Sequence, residues 1–174
     1  MNNIETNTAP RLWSRDGFRD DEWQRAEAPD LDQRVILQLA VFAGLDDAAR
    51  RDAADKVAVE VQPGDRLDDL VPYLDQLPMI ALSFPVFSDG RSFSKAELLR
   101  SRHGYRGTLR ATGDVLIDQI PHMLRTGIDE FEISNETAIS RLEEGRIGGI
   151  EHHYQPAAAS AKDAGGYSWR RLPA

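Results

Sequence analysis

Short apolar runs separated by polar segments divide the middle of the chain into regular units. Five segments are predicted to be strands, namely residues 35–39, 57–61, 79–84, 108–112 and 129–133; the first three are mainly apolar. The run at 79–84 is apolar almost throughout, which is typical of a strand covered on both faces, as parallel strands are.

Helical signals lie between and after these runs. Ser94 and Glu97 match a capping box, and Gly104 follows as a left-handed stop. The first predicted helix begins at Asp65 and is weakened or bent at Pro72, and the second runs from Ser94 to His103. The third opens at Gly113-Asp114, has a kink or an early break at Pro121 and stops at Gly127, and the fourth runs from Ser134 or Asn135 to Glu144.

The alternation of strands and helices predicts an α/β fold. Repeated strand–helix units give a mainly parallel sheet flanked by helices, either as an open sheet or as a half-barrel-like arc. Asp16-Gly17, between Leu12-Trp13 and Phe18, predicts a small N-terminal hairpin. We expect a disordered N-terminus over 1–10, one domain over 11–155 and a mobile tail over 156–174.

Composition excludes several classes of function. The 174 residues carry 21 Lys+Arg against 29 Asp+Glu, a net charge of −8, which argues against general nucleic-acid binding. With no cysteine there is no disulfide and no thiolate-held iron–sulfur cluster. The sequence also lacks a membrane-length apolar run and a leader-like start, so we expect a soluble, cytoplasmic protein.

A basic island at residues 91–110 indicates anion binding. It holds six cationic side chains against Glu97 and sums to +5. The loops that leave the strands at 84 and 112 lie directly before and after it in the chain, and such loops form the functional edge of parallel sheets. Planar guanidinium groups beside a helix start suit a small oxyanion. The predicted anion-binding residues are Arg91, Arg100, Arg110 and Ser94; the alternative is that these cations pair with acidic neighbours.

Carboxylates in the same loops offer a second chemistry. Asp114 and Asp118 lie four residues apart, on one face of the predicted helix, and could bind Mg²⁺ or act as acid and base in a hydrolase. Helix capping and solvation explain them equally well. Asp89 and Gln119 belong to the same candidate set. We predict no dedicated metal site, because His152 and His153 are adjacent and would point to opposite faces of a strand, and we read His122 as a surface histidine.

The same residues resemble a known family. The string Ile80-Ala-Leu-Ser-Phe-Pro-Val-Phe-Ser-Asp-Gly-Arg-Ser-Phe-Ser94, followed by Gly104-Tyr-Arg-Gly-Thr-Leu-Arg-Ala-Thr-Gly-Asp-Val-Leu-Ile-Asp-Gln119, is similar to the uncharacterised bacterial domain family 934. That family is commonly described as an oxidoreductase of sulfite reduction. The chain departs from its pattern at Ser92, where glycine is usual, at Pro121, and at Thr126, where cysteine is frequent.

The resemblance implies a place in sulfur assimilation and leaves open whether the chain catalyses a reaction. One hypothesis is an accessory or binding component of assimilatory sulfite reduction, with sulfite reductase components as partners and a small oxyanion as ligand. The alternative is an oxidoreductase that works through a bound cofactor which the sequence does not reveal. No cysteine and no glycine-rich dinucleotide motif is present, so we favour the accessory role.

Overall fold

Eight strands form a single sheet in the computed structural model, which describes residues 7–30 and 32–148. The strands are β1 (Asn7–Ser14), β2 (Gly17–Arg19), β3 (Trp23–Arg25), β4 (Arg34–Gln38), β5 (Val57–Val61), β6 (Met79–Phe84), β7 (Thr108–Gly113) and β8 (Glu130–Asn135). Their order across the sheet is β2-β1-β8-β7-β6-β5-β4-β3.

Strands β3 to β8 run parallel to one another, and the N-terminal hairpin completes the sheet. β1 pairs antiparallel with β8 and also with β2, with Trp13 opposite Phe18. Gly17 has a φ of 110°, a left-handed conformation that suits glycine at this tight turn. The predicted hairpin at Asp16-Gly17 is therefore confirmed.

Helices alternate with the parallel strands, which confirms the α/β prediction. The α-helices are α1 (Leu39–Ala43), α2 (Asp47–Asp52), α3 (Arg91–Ser101), α4 (Ile120–Arg125) and α5 (Glu136–Glu143). Two short 3-10 helices, Leu67–Asp69 and Val71–Gln76, connect β5 to β6. The side chain of Asn135 accepts a hydrogen bond from the Ala138 amide, the predicted cap of the last helix.

The main core lies between one face of the sheet and these helices. Because side chains alternate along a strand, Ile80, Leu82 and Phe84 of β6 share that face, and all three are buried in the core with Ala96 and Leu99 of α3. Met79 and Ala81 belong instead to a smaller apolar cluster. A strand that is buried on both faces explains the nearly continuous apolar run at 79–84.

The sheet is curled into a half-barrel. Of the two predicted shapes, an open sheet and a half-barrel-like arc, the second is therefore correct. Four strands separate β3 from β8, so in a flat sheet their side chains would lie about 24 Å apart. Instead, Arg25 Nη2 of β3 donates to Glu132 Oε2 of β8 over 3.0 Å. The face that carries Arg25 and Glu132 is therefore the concave one, and the helices cover the convex face.

The concave face is apolar at the N-terminal ends of the strands and polar toward their C-terminal ends. The apolar part holds Ile36, Ala58, Met79 and Ala81, with Trp23 packed against them. The polar part begins with Glu60 and Arg110, which flank Ala81 in register on the two neighbouring strands, and continues with Thr112 and Glu132. In parallel sheets the C-terminal strand ends are the functional edge.

The predicted starts of two helices are wrong. Helix α3 begins at Arg91 and not at Ser94, because the Asp89 carboxylate accepts the Arg91 amide and turns the chain one turn earlier. The residues after Gly113-Asp114 form turns, and α4 begins only at Ile120. Pro121 therefore lies in the first turn of α4, where its missing amide costs nothing and produces no kink.

Other local differences have tertiary causes. Asp65 does not cap a helix, since its carboxylate accepts the Gln62 amide, and the expected α-helix is replaced by the two 3-10 segments. The short elements β3, α1 and α2 carried no clear sequence signal. β1 starts at Asn7, inside the segment 1–10, whereas the predicted tail at 156–174 and the His152-His153 pair lie outside the described residues.

Candidate functional site

The loop between β6 and α3, residues 85–90, exposes two large apolar side chains at the C-terminal edge of the sheet, and we call it the Phe87 loop. Val86 is 50% and Phe87 61% exposed, and they lie directly after the fully buried end of β6. Single exposed apolar residues are ordinary in soluble proteins. Two in succession on a functional edge mark this loop as a candidate binding surface.

Side chains from the β7–α4 segment fix the backbone of this loop. The Phe87 amide donates to Asp114 Oδ2 over 3.2 Å, and Gln119 Nε2 donates to the Phe87 carbonyl over 2.8 Å. The Asp114 amide in turn donates to the Phe84 carbonyl over 2.7 Å. Phe87 is thus held by its backbone while its ring is left exposed.

Gln119 also holds a buried polar atom that is not satisfied. Its Oε1 is shielded from solvent and has no hydrogen-bond partner among the described residues. Such an acceptor costs free energy. Gln119 thus binds the Phe87 carbonyl through its amide nitrogen while its amide oxygen has no partner among the described residues. This arrangement supports a positioning role for Gln119.

Asp89 and Arg91 form a two-point ion pair at the start of α3. Arg91 Nε donates to Asp89 Oδ1 over 2.9 Å, and Nη2 donates to Oδ2 over 2.6 Å. The hydrogen bonds from Arg91 lower the pKa of Asp89 to about 2. The Arg91 side chain is 63% exposed, and its Nη1 makes no hydrogen bond to a described residue.

Replacing Asp89 by asparagine is expected to remove an acid-sensitive contribution to stability. Because the folded-state pKa lies below the ordinary 3.8, this contribution is complete above pH about 4 and is lost as pH falls through about 2. Melting temperatures of the wild type and Asp89→Asn should therefore differ most near neutral pH and converge toward pH 2.

The exposed Asp118 supplies the matched control for this titration. Asp118→Asn removes the same charge from the neighbouring loop without breaking the Arg91 pair. A gap between wild type and Asp89→Asn that stays constant from pH 6 to pH 2 would contradict the assigned role of the ion pair.

The rest of α3 is anchored by buried polar contacts. Ser92 Oγ donates to the Ser83 carbonyl over 2.6 Å, and Lys95 Nζ donates to the Asp65 carbonyl. Burial lowers the pKa of Lys95.

Ser94 is exposed and lies within the first turns of the helix, not at its cap. On the adjacent α4, the exposed His122 stacks on Phe93 with ring centroids 4.5 Å apart.

Arg100 lies at the far end of α3 and holds the opposite edge of the sheet together. Its guanidinium donates to the carbonyls of Tyr105, Gly107 and Gly127 over 2.7–2.9 Å and to Asp129 over 2.5 Å. Arg100 follows Arg91 by nine positions in the helix, a rise of about 14 Å. One small oxyanion cannot touch both side chains.

Arg110 is the centre of a buried ionic network on the concave face. Its side chain is only 1% exposed, and its Nε donates to Glu130 Oε2 over 3.0 Å. Its Nη1 donates to Asp21 over 2.8 Å and lies 3.5 Å from Glu132 Oε1. Arg19 also donates to Glu130. The Arg110 guanidinium, which the sequence predicted to bind an anion, is therefore already paired with several carboxylates.

A second arginine extends the network across the half-barrel. Arg25 Nη2 bonds both Glu132 and Glu60 over 3.0 Å, and Glu60 also accepts from Thr112 Oγ1 over 3.0 Å. Sequence reasoning missed this set. The available signal was a charged residue at the inward positions of otherwise apolar strands, as at Glu60 in 57–61 and Glu132 in 130–135.

The structure separates the predicted anion-binding residues. Arg91 and Ser94 lie near the C-terminal edge, Arg100 at the N-terminal edge and Arg110 inside the concave face. Asp89, Asp114 and Gln119 do come together around the Phe87 loop, and Asp118 is exposed beside them. Anion binding by the four residues stays a prediction, as does acid/base chemistry by the carboxylates.

Metal and membrane chemistry receive no support from the described part of the chain. Within residues 7–30 and 32–148, no three His, Asp or Glu side chains are grouped closely enough to hold a metal ion. Over the same ranges, none of the helices has the length and apolar character needed to cross a bilayer.

The chain matches a model of a known protein family. The model of a family described as bacterial proteins of unknown function matches residues 58–164, more than half of the chain. This match starts inside β5 and includes the Phe87 loop, Arg100 and Arg110. No curated protein matches the chain in sequence.

Proposed function

This chain belongs to the bacterial family of unknown function DUF934, and we propose that it is a cytoplasmic accessory or binding component of assimilatory sulfite reduction. The observation that carries the accessory role is the Phe87 loop. Residues that the family resemblance singles out, Asp89, Arg91, Asp114 and Gln119, hold an exposed loop in place. A rigid exposed loop serves recognition, so we expect sulfite reductase components to be its partners.

The amino-acid composition supports an accessory role over a self-sufficient oxidoreductase. A thiolate-held iron–sulfur cluster needs cysteine, and the chain contains none. In this proposal the partner supplies the electrons for sulfite reduction. The accessory protein supplies binding surface and, in the finer form of the proposal, a small oxyanion site.

The oxyanion part of the proposal rests on Arg91. Among the three candidate arginines it has the exposed guanidinium, whereas Arg100 and Arg110 are engaged by carbonyls and carboxylates. An oxyanion at Arg91 would bind Nη1 or displace Asp89. Because displacement breaks a two-point ion pair, we expect weak binding.

Co-purification tests the accessory role directly. A tagged chain expressed in cells that grow on sulfate as sulfur source is expected to retain sulfite reductase components through washing at moderate salt. Cells grown on cysteine, which do not need sulfite reduction, provide the comparison. Absence of the reductase from the sulfate-grown sample, with the tagged protein soluble and folded, would count decisively against the proposal.

Calorimetric titration tests the oxyanion site separately. Sulfite is expected to bind the wild type weakly and Arg91→Ala not at all, because that change removes the exposed guanidinium. Arg66→Ala is the matched control, since Arg66 is also exposed and also paired with an aspartate, Asp68. Equal binding by the wild type and Arg91→Ala would exclude Arg91 as the ligand.

A further inference from the structure

The charge around the Phe87 loop differs from what the basic island suggested. Of the island's six cations, four lie away from the loop, namely Arg100, Arg102, Arg106 and Arg110. Lys95 is mostly buried, with its Nζ bonded to the Asp65 carbonyl. The loop and the turn after β7 carry Asp89, Asp114 and Asp118 against two cations, Arg91 and the buried Lys95, whose charge acts on Asp89. The immediate surroundings of the exposed ring are therefore net negative.

The next loop extends the acidic surroundings. Lys95 bonds the Asp65 carbonyl, which brings the segment after β5 against α3. That segment exposes Asp68 and Asp69, together with Arg66, which Asp68 partly neutralises. An apolar projection thus lies between two acidic loops at one edge of the sheet.

We infer that Val86 and Phe87, with Asp114 and Asp118, form a docking surface for a protein partner that presents an apolar pocket bordered by lysine or arginine. The inference rests on the proposed function, since the partner in question is the sulfite reductase. Insertion of Phe87 removes apolar area from water, and the carboxylates steer and orient a basic surface. The fixed loop backbone lowers the conformational entropy lost on binding.

The backbone contacts also make this surface testable without unfolding it. Asp114 and Gln119 hold Phe87 through its amide and carbonyl, so shortening the exposed ring leaves both hydrogen bonds in place. Phe87→Ser therefore changes the docking surface and not the loop. Leu98→Ser is the matched control, because Leu98 is 40% exposed but lies on the outer side of α3.

Charge is tested by two reversals that change the net charge equally. Asp118→Lys places a cation beside the loop, whereas Asp55→Lys does so at an exposed turn before β5, at the opposite edge of the sheet. A partner that recognises the acidic border must distinguish these variants. One that responds only to overall charge treats them alike.

Biolayer interferometry with the full chain and purified sulfite reductase of the same source measures the outcome. Phe87→Ser is expected to weaken binding about tenfold, as loss of a central aromatic contact does, while Leu98→Ser stays within about twofold of the wild type. Asp118→Lys should weaken binding and flatten its dependence on salt, and Asp55→Lys should not.

The outcomes separate the inference from the function on which it rests. If the wild type binds the reductase and Phe87→Ser and Asp118→Lys bind equally well, the docking surface is wrong and the accessory role stands. If the wild type does not bind, the accessory role is wrong and the inference falls with it. Concentration-dependent dimerisation that Phe87→Ser abolishes would assign the surface to a second copy and overturn the inference.

Discussion

Replacing Arg110 by alanine is expected to lower the free energy of unfolding by about 3–5 kcal/mol, because it leaves buried carboxylates without their cation. Glu130 and Glu132 are each less than a tenth exposed, and both face the Arg110 guanidinium. For a domain whose total stability is of the order of 5–15 kcal/mol, the variant loses a large part of it.

Two comparisons identify the cause of that loss. Arg66→Ala removes an arginine from an exposed pair with Asp68 and should change the free energy of unfolding by less than about 1 kcal/mol. Arg110→Lys keeps the charge but not the planar fork that reaches several carboxylates at once, so it should fall between wild type and Arg110→Ala. Urea unfolding at pH 7 measures all three.

The Arg110 result also bears on the anion prediction. A guanidinium that served chiefly to bind an external anion would leave stability nearly unchanged when removed. A loss below about 1 kcal/mol for Arg110→Ala would mean that the ionic network contributes little. It would also return Arg110 to the list of ligand-binding candidates.

Replacing Gly113 by alanine is expected to destabilise the C-terminal edge of the sheet, by more than a glycine-to-alanine change of the same conformational class that meets no neighbouring atom. Gly113 has a φ of 92°, which costs a residue with a Cβ about 1–2 kcal/mol. The new Cβ would also lie 2.5 Å from the Phe84 carbonyl oxygen, a backbone atom that cannot rotate away. The ends of β6 and β7 must then move apart.

Gly104→Ala is the control that separates the cost of the left-handed backbone conformation from the cost of a steric contact. It has a φ of 64°, and a Cβ there would meet nothing within 4 Å. Gly104→Ala should therefore lose only about 1–2 kcal/mol, and Gly113→Ala clearly more. Similar losses in the two variants would show that the edge accommodates the methyl group, contrary to expectation.

A local measurement connects Gly113 to the candidate site. Its neighbour Asp114 bonds both the Phe84 carbonyl and the Phe87 amide. Displacement of Gly113 should therefore loosen the Phe87 loop, seen as faster amide hydrogen exchange in residues 85–90 of Gly113→Ala and not of Gly104→Ala.

The parts of the fold that local physics decides were predictable from sequence. The strands at 57–61 and 79–84 were predicted with the observed boundaries, because their apolar content alone sets burial on both faces. The cap at Asn135 and the turn at Gly17 were also predictable, since each depends on one side chain or one backbone angle.

The parts that tertiary contacts decide were not predictable. The start of α3 depends on Asp89, and the turns at 114–119 depend on the attachment of Asp114 and Gln119 to Phe87. The concave network joins residues that are 89 and 107 positions apart in the chain. No local pattern indicates that Arg110 meets Asp21 and not an external anion.

The large sequence separation between the partners in the concave network also constrains the order in which parts of the half-barrel can fold. Arg25 and Asp21 are synthesised early, but Glu132, which Arg25 bonds, enters the chain only with β8. Contacts of such sequence separation form slowly, because the intervening chain must first lose its freedom. The closure between β3 and β8 is therefore a late event, and until β8 is in place the growing sheet presents an open β7 edge to other chains.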